Sequence, residues 1–186
     1  MKWLIASDLH GSAVYTEKLL EAFKGEEADR LLLLGDLLYH GPRNDLPEGY
    51  DPKKVIALLN GVKKKIFCVG GNCDAAVDQM VLEFPVLAEY ALIPCGRSMI
   101  FATHGHLFSA EHLPPLSSGD ILLHGHTHVP VCLEKGAVHI LNPGSVSLPK
   151  ENSPHSYMTL EDGCFRWKNL LTGESFREYF HFSGER

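Results

Sequence analysis

The chain has 186 residues, of which 45% are hydrophobic, and a formal net charge of −6. This length and apolar content suffice for one compact core, so we predict a single domain over residues 1–186. The acidic balance disfavours an extended nucleic-acid-binding face, which needs clustered Lys and Arg, but it does not exclude a small anionic substrate.

The apolar segments are all too short to span a bilayer, so no membrane partner is expected. The N-terminal run Trp3–Ala6 turns polar at Ser7 and lacks the longer apolar core of a signal peptide. The five cysteines are scattered and form no C-x-x-C pair, which is typical of reduced thiols rather than of a disulfide framework or a zinc ribbon. We therefore expect a cytoplasmic protein.

The first half of the chain alternates predicted strands and helices. Short apolar runs predict strands at Trp3–Ala6, Leu31–Leu34 and Ile66–Val69. Periodicity and capping residues predict helices at about Ala13–Lys24 with Ser12 as N-cap, at about Asp51–Leu59, and at Asp74–Leu82. This order is typical of an α/β arrangement.

From about Ala88 onwards the pattern becomes β-rich. Apolar runs predict strands at Tyr90–Ile93, Met99–Ala102, Ile121–Leu123 and Val138–Leu141. The tail from Ser156 to Phe182 predicts a β-meander with turns at Asp162-Gly163 and Thr172-Gly173. Exposed apolar strands in this tail would be compatible with a homo-oligomer.

Five of the apolar runs share one feature, which is that metal-binding side chains follow the end of the run. Because the carboxyl ends of strands in an open α/β sheet line the ligand crevice, these side chains are expected to converge on one rim. Carboxylate, imidazole and amide ligands together suit Mn, Fe, Zn, Co or Ni better than Ca or Cu(I). The residues are Asp8, His10, Asp36, Asn72, His104, His126 and His128.

Two pairs of these residues, Asp8 with His10 and His126 with His128, are separated by one residue. In extended backbone, residues two apart point the same way, so each pair is expected to present two ligands on one side. Taken singly, an aspartate after a strand is often a helix cap or turn residue, but the ordered set favours a metal site.

Three further features near these residues are expected to support the ligands rather than to bind metal. His124 is expected to pack in the core or to hold a ligand in place. Asp74 is expected to cap a helix or to position a ligand. Asn142–Ser145 is expected to shape a turn whose carbonyl binds a ligand histidine.

The order of these segments resembles the calcineurin-like metallophosphoesterase superfamily. The matching segments are Asp8-Leu9-His10, Gly35-Asp36, Gly71-Asn72-Cys73-Asp74, Thr103-His104-Gly105 and Gly125-His126-Thr127-His128. The stretches His40–Asn44, Leu46–Tyr50 and Asn142–Ser145 are more narrowly similar to bacterial phosphodiesterases of this superfamily. The resemblance implies an α/β fold with two packed β-sheets flanked by helices, in α/β/β/α layers.

Carried onto this sequence, the resemblance implies two divalent ions bridged by Asp36. The first would be held by Asp8, His10, Asp36 and His128, and the second by Asp36, Asn72, His104 and His126. Two ions about 3.5–4 Å apart can share a hydroxide that attacks phosphorus, and can neutralise the phosphate. Manganese is the implied metal, with Ni, Co, Fe and Zn as alternatives.

Cys73 departs from the usual motif of the superfamily, in which a histidine follows the Gly-Asn pair and assists the leaving group. A thiol is a weak hydrogen-bond donor and a poor general acid beside an imidazole. The bacterial phosphodiesterases share this cysteine, and the resemblance therefore implies hydrolysis of phosphodiesters. His106 is a candidate for replacing the missing imidazole, and Cys73 as a plain small buried side chain is the simpler interpretation.

Arg43 and Asn44 are candidate substrate-binding residues, because a guanidinium pairs well with phosphate, although a surface arginine in a loop is common. The expected substrate is a small phosphodiester. Two alternatives stay open. One is a phosphomonoesterase or nucleotidase at the same site, against which Cys73 weighs. The other is a non-catalytic protein-binding scaffold, which would be expected to have lost ligands that this chain retains.

Overall fold

The computed structural model describes residues 1–181, and the end of the predicted tail at Phe182 lies outside them. The helices are α1 (Ala13–Gly25), α2 (Pro52–Gly61) and α3 (Ala76–Gln79), and a 3₁₀ turn covers Lys63–Lys65. The strands are β1 (Trp3–Ala6), β2 (Arg30–Leu33), β3 (Ile66–Cys68), β4 (Tyr90–Cys95), β5 (Ser98–Thr103), β6 (Ile121–Leu123), β7 (Pro130–Lys135), β8 (Val138–Pro143), β9 (Ser156–Glu161), β10 (Cys164–Asn169) and β11 (Ser175–Phe180).

The first two helices begin at the caps that the sequence predicts. The Ser12 hydroxyl accepts a hydrogen bond from the backbone N–H of Tyr15 at 3.3 Å, and the Asp51 carboxylate accepts one from Lys54 at 3.1 Å. The third helix is shorter than predicted, with four residues, and starts at Ala76. The prediction of a helix from Asp74 is wrong because the Asp74 carboxylate binds the backbone of the segment after β2 instead.

Two mixed β-sheets form the body of the fold. The first has the strand order β11-β10-β9-β1-β2-β3 and the second the order β4-β5-β6-β8-β7. The central strands β1, β2 and β3 are parallel, as are β5, β6 and β8. The tail strands join the first sheet as the predicted antiparallel meander, whereas β7, which the sequence did not predict, pairs antiparallel with β8.

Alternate residues of the central strands face different layers. Ile5 and Leu32 belong to the core between the two sheets, whereas Leu4 and Leu31 belong to the core beneath the helices. All four side chains are buried. Burial on both faces explains why these strands are continuous apolar runs rather than alternating ones.

An irregular segment, residues 104–120, covers the outer face of the second sheet. Phe101 and Leu122 of that sheet form a small apolar cluster with Phe108 and Leu113 of the segment. The sandwich of two sheets with helices against the first sheet is confirmed. In the described part of the chain, the fourth layer that the resemblance implied is this loop rather than a helix.

None of the helices in residues 1–181 combines the length and apolarity needed to cross a membrane, and the longest, α1, has 13 residues. All five cysteines are free thiols, as expected from their spacing. At the edge of the first sheet, β11 exposes the apolar side chain of Phe176.

Candidate metal centre

The seven side chains that the sequence singles out as metal ligands meet at the carboxyl ends of the parallel strands. Both sheets contribute, so the site spans the top of the sandwich. The first sheet supplies Asp8 and His10 after β1, Asp36 after β2 and Asn72 after β3, and the second supplies His104 after β5 and His126 and His128 after β6.

Five of these residues adopt left-handed backbone conformations, which corrects the expectation of extended backbone. The φ angles are 59° at Asp8, 46° at His10, 56° at Asp36, 66° at His126 and 62° at His128. The paired ligands therefore share one side because the chain turns sharply at each of them. Such conformations cost about 1–3 kcal/mol each in non-glycine residues and persist where the surroundings impose them, often at functional sites.

The first cluster consists of Asp8, His10 and His128. The Oδ1 atom of Asp8 lies 3.3 Å from Nε2 of His128 and 3.7 Å from Nε2 of His10, and the two Nε2 atoms lie 3.2 Å apart. The Nδ1 atoms donate to the backbone carbonyls of Tyr39 at 2.8 Å and Leu148 at 2.6 Å. Because a carbonyl only accepts, each ring carries its proton at Nδ1 and directs the Nε2 lone pair into the cluster.

The second cluster consists of Asp36, Asn72, His104 and His126. The Nε2 atom of His104 lies 3.4 Å from Oδ2 of Asp36, 3.2 Å from Nδ1 of His126 and 3.1 Å from Oδ1 of Asn72. The other ring nitrogen of His104 donates to the carbonyl of Leu34 at 2.6 Å. In its neutral form this ring is therefore held in the tautomer that leaves Nε2 free to bind a cation, and because its pKa is about 9, a cation must displace the Nε2 proton at neutral pH.

Asp36 lies between the two clusters. Its Oδ2 atom is 3.6 Å from Nε2 of His10 and 3.4 Å from Nε2 of His104, while its Oδ1 atom accepts a hydrogen bond from the backbone N–H of Cys73 at 2.8 Å. One carboxylate oxygen is thus fixed by the backbone and the other faces imidazoles of both clusters. This is the arrangement that a bridging ligand requires.

The donor set fits divalent cations. Asp8 Oδ1 is a buried carboxylate oxygen that has no hydrogen-bond partner among residues 1–181. A buried, unpartnered carboxylate oxygen is costly unless a cation compensates it. Within each of the groups Asp8, His10, His128 and Asp36, His104, His126, the ligand atoms lie within 4.8 Å of one another. His10, Asp36 and Cys73 form a third such group.

The pKa values of the ligands diverge. Burial by itself would raise the pKa of Asp8, but the neighbouring imidazoles of His10, His128 and His104 hold it well below its usual range. Burial would lower the pKa of His104, yet the carboxylates of Asp36 and Asp8 raise it to about 9. Burial and the charge of His104 lower the pKa of His126 to about 4. Strongly coupled, perturbed groups of this kind are typical of functional sites.

Asp74 positions Asp36, which agrees with the supporting role expected for it. Its Oδ2 atom accepts hydrogen bonds from the backbone N–H groups of Asp36 at 2.7 Å and Gly71 at 2.8 Å, and its Oδ1 atom accepts one from Leu37 at 2.8 Å. Close approach also requires glycine at position 71, because a Cβ atom there would lie 2.1 Å from Oδ1 of Asp36.

A second set of hydrogen bonds supports the ligands from the segment after β8. Asn142 Nδ2 donates to the carbonyl of Gly125 at 2.8 Å and to Oγ1 of Thr127 at 3.1 Å, which fixes the turn that carries His126 and His128. The Ser145 hydroxyl donates to the carbonyl of Asp8 at 2.9 Å. The expectation that Asn142–Ser145 provides a carbonyl for a ligand histidine is wrong for His128, whose acceptor is Leu148.

The metal ligands open into a cleft of about 400 Å³ whose lining includes Arg43, Asn44 and Cys73. Burial and the charge of Asp36 raise the pKa of Cys73 to about 12, so the thiol is neutral at neutral pH.

His106 is not among the described lining residues, and its ring centroid lies 5.4 Å from that of His104. His124 is buried, outside the candidate ligand groups, with Nδ1 3.0 Å from the carbonyl of Gly125.

Lys150 also lines the cleft, and sequence reasoning missed it. Its backbone N–H donates to the carbonyl of His128 at 3.2 Å, which holds it beside the first cluster. Nothing around position 150 marks it in the sequence, because an exposed lysine before Glu151-Asn152 is typical of an ordinary surface turn.

Comparison with known proteins places this site in a family. Residues 1–162 match the model of the calcineurin-like phosphoesterase superfamily domain. The chain is 50% identical over 162 residues to phosphodiesterase YfcE of Escherichia coli K12, covering 87% of this chain and 88% of that protein. It is 29% identical over 175 residues to the probable metallophosphoesterase YsnB of Bacillus subtilis, covering 87% and 86%.

Solved structures agree with this comparison. The match to the solved structure of the YfcE phosphoesterase from E. coli covers 98% of this chain and 100% of that chain, with a TM-score of 0.94 and 45% identity. Zinc-bound Vps29 from Entamoeba histolytica has a TM-score of 0.58 and 23% identity, with 96% of this chain and 98% of that chain covered. The likeness to Vps29 shows the fold alone.

Proposed function

Because the chain belongs to the calcineurin-like phosphoesterase superfamily, we propose that it is a metal-dependent phosphodiesterase. The half-identical relative YfcE carries the name phosphodiesterase. The observation that carries the proposal is the position of Asp36, whose single oxygen Oδ2 faces His10 at 3.6 Å and His104 at 3.4 Å. Such a shared carboxylate supports a centre with two ions rather than one.

The proposed first ion is held by Asp8, His10, Asp36 and His128, and the second by Asp36, Asn72, His104 and His126. Manganese is the proposed metal, and Ni, Co, Fe and Zn fit the same ligands. When bound, two such ions acidify water at neutral pH and neutralise charge on the phosphate under attack. The lone-pair directions of the imidazoles and the low pKa of Asp8 support this assignment.

The chain itself positions the substrate and handles the leaving group. Arg43 and Asn44 line the cleft and are proposed to contact the substrate. Cys73 lines the same cleft as a neutral thiol, so it donates only a weak hydrogen bond to the departing oxygen. His106, whose ring centroid lies 5.4 Å from that of His104, is proposed to replace in part the imidazole that is missing at position 73. Burial and the charge of His104 lower its pKa, so it is neutral at neutral pH.

A weak donor at position 73 favours diesters over monoesters in this proposal. A poor general acid slows departure of a basic alkoxide most and departure of a good leaving group least. The name of the half-identical relative, phosphodiesterase, further favours the diester over the phosphomonoester alternative. The scaffold alternative is disfavoured because both clusters are complete, with lone pairs directed inward and Asp8 Oδ1 unpartnered within residues 1–181.

The proposed partner is a small phosphodiester in a cytoplasmic setting. A cleft of about 400 Å³ is in the range of small-molecule sites, and the net charge of −6 disfavours extended nucleic-acid binding. The free thiols agree with a reducing compartment. A homo-oligomer that uses the exposed edge of β11 remains part of the proposal.

The proposal is tested by stripping the protein of metal and adding back Mn, Ni, Co, Zn or Mg while hydrolysis of bis(p-nitrophenyl) phosphate is followed. We expect the stripped protein to be inactive and at least one transition metal to restore cleavage. His104→Gln should prevent restoration, whereas His112→Gln, at an exposed histidine outside the site, should not. Cleavage that survives metal removal, or metal binding without cleavage, would contradict the proposal.

A further inference from the structure

The cleft presents two cationic side chains that no acidic residue neutralises. Among residues 1–181, neither Arg43 nor Lys150 forms an ion pair, whereas Lys2, Lys54 and Lys168 each contact a glutamate. Asp36 is the single acidic residue in the described lining, and its free oxygen faces imidazoles. Two uncompensated cations therefore share a cleft in a chain whose net charge is −6.

The two cations come from separate loops that are each fixed by hydrogen bonds. Arg43 lies in the turn closed by Asn44, whose Nδ2 donates to the carbonyl of His40 at 2.8 Å. Lys150 lies after β8, where its backbone N–H donates to His128 and its carbonyl accepts from the Ser153 hydroxyl at 2.6 Å. Both backbones are held in place, and both residues line the same cleft.

The charge of the scissile phosphodiester does not account for these cations. Two divalent ions exceed the two carboxylates Asp8 and Asp36 by two positive charges, and a phosphodiester carries only one negative charge. The reacting phosphate is therefore already compensated by the centre itself. Arg43 and Lys150 add positive charge that the reaction does not require, and a cleft focuses such a field on a bound anion.

The other residues that line the cleft restrict the chemistry of the second ester substituent of the substrate. No Phe, Tyr or Trp side chain is among the described lining residues, so a nucleobase would find no such ring on which to stack. The volume of about 400 Å³ leaves room beside the reacting group for a further small substituent. The complementary substituent is therefore small and charged rather than aromatic.

We infer that the substrate is a phosphodiester that bears a second anionic group, a carboxylate or a phosphate, and that Arg43 and Lys150 bind this group. Lys150 is in this view a specificity-determining residue. The inference rests on the proposed phosphodiesterase function and adds the class of its substrate.

The test uses p-nitrophenyl phosphodiesters that differ only in the second alcohol, which is ethanol, choline, glycolate or 2-phosphoethanol. For the metal-loaded wild type, we expect KM to be about fivefold lower for the two anionic esters than for the ethyl ester, and the choline ester to bind worst. High ionic strength should reduce this preference. Preference for glycolate or for 2-phosphoethanol distinguishes a carboxylate from a phosphate as the bound group.

Variants assign the effect to residues. Lys150→Gln should raise KM for the anionic esters about threefold to fivefold, with little change in kcat and little effect on the ethyl ester. Arg43→Gln should raise KM for all four esters, and most for the two anionic ones. Lys53→Gln, at an exposed lysine on α2, is the matched control and should change nothing. In calorimetry, the affinity of the same two variants for 2-phosphoglycolate should fall more than their affinity for ethyl phosphate.

Two results would overturn the inference. One is an equal KM for the ethyl and anionic esters in the wild type, and the other is an equal effect of Lys150→Gln on all four esters. Both leave the phosphodiesterase activity intact and so leave the proposed function standing. Failure to hydrolyse any of the four esters with metal restored would instead overturn the proposed function, and the inference with it.

Discussion

The Nε2 atoms of His10 and His128 lie 3.2 Å apart, and in neutral rings with the proton at Nδ1 neither can donate to the other. Both rings use their proton at Nδ1 to bind the carbonyls of Tyr39 and Leu148. Two facing lone pairs repel unless a cation lies between them, and Asp8 Oδ1 beside them is likewise without a hydrogen-bond partner in residues 1–181. The fold therefore holds these groups for a metal ion.

Asp36→Asn should remove both ions, because a neutral amide replaces the carboxylate that faces both clusters. We expect metal content to fall from two ions per chain to below one, and kcat/KM for a phosphodiester to fall at least about 100-fold. Elemental analysis after gel filtration measures the first effect. Asp45→Asn, at an exposed aspartate of the β2–α2 loop, is the control. Two ions retained by Asp36→Asn would refute the bridging role.

Gly71→Ala should displace Asp36 by steric contact alone. The new Cβ atom would lie 2.1 Å from Oδ1 and 2.6 Å from the backbone nitrogen of Asp36. We expect a loss of about 1–3 kcal/mol in the free energy of unfolding and at least tenfold weaker metal binding. Gly61→Ala, where no atom lies within 4 Å, is the matched control and should be neutral or slightly stabilising. Equal behaviour of the two variants would contradict the close approach.

Cys73→His should raise phosphomonoesterase activity relative to phosphodiesterase activity by at least about tenfold. The imidazole restores a competent donor where the neutral thiol, with its pKa of about 12, is a weak one. The ratio of kcat/KM for p-nitrophenyl phosphate and bis(p-nitrophenyl) phosphate measures the change. Cys73→Ala removes the thiol without adding a donor and should not raise the ratio. If both activities changed in parallel in Cys73→His, the role assigned to position 73 would be wrong.

Glu26→Gln should destabilise the fold at neutral pH. Burial alone would raise the pKa of Glu26, but contacts with Lys168, Lys2 and Tyr157 lower it from 4.5 to about 2. Because the folded-state pKa is the lower one, this stabilisation is present above pH 4.5 and is lost as the pH falls towards 2.

We expect Glu26→Gln to lower the free energy of unfolding by about 2 kcal/mol at pH 7 and by clearly less at pH 3, as measured by urea denaturation. Glu21→Gln, at an exposed glutamate of α1, should have little effect at either pH. A loss of stability in Glu26→Gln that is independent of pH would contradict this interpretation.

Much of the fold was predictable because its central strands are buried on both faces. Runs such as Trp3–Ala6 and Ile121–Leu123 are apolar throughout, and the polar residue that ends each run is held at the rim. The order of those residues along the chain also predicted which side chains meet. Strand β7 was not predictable, because Pro130–Lys135 is partly exposed and becomes a strand through its pairing with β8.

The details of the site depend on tertiary contacts that leave no local pattern. Asp8 and His10 adopt left-handed conformations because the backbone after β2 binds theirs, with His10 donating to the carbonyl of Asp36 at 2.8 Å. Sequence reasoning assigned them extended backbone instead. Lys150 reaches the cleft only because the segment after β8 packs beside His128, a relation between residues 22 positions apart.

The most direct test of the phosphodiesterase proposal compares bis(p-nitrophenyl) phosphate with p-nitrophenyl phosphate as substrates of the Mn-restored wild-type protein. We predict a higher kcat/KM for the diester, by at least about tenfold. Both substrates expel p-nitrophenolate, but the monoester brings one more negative charge, and the neutral Cys73 thiol is only a weak hydrogen-bond donor to it. Equal or greater activity towards the monoester would contradict the assignment and would move this metal centre to phosphomonoester substrates.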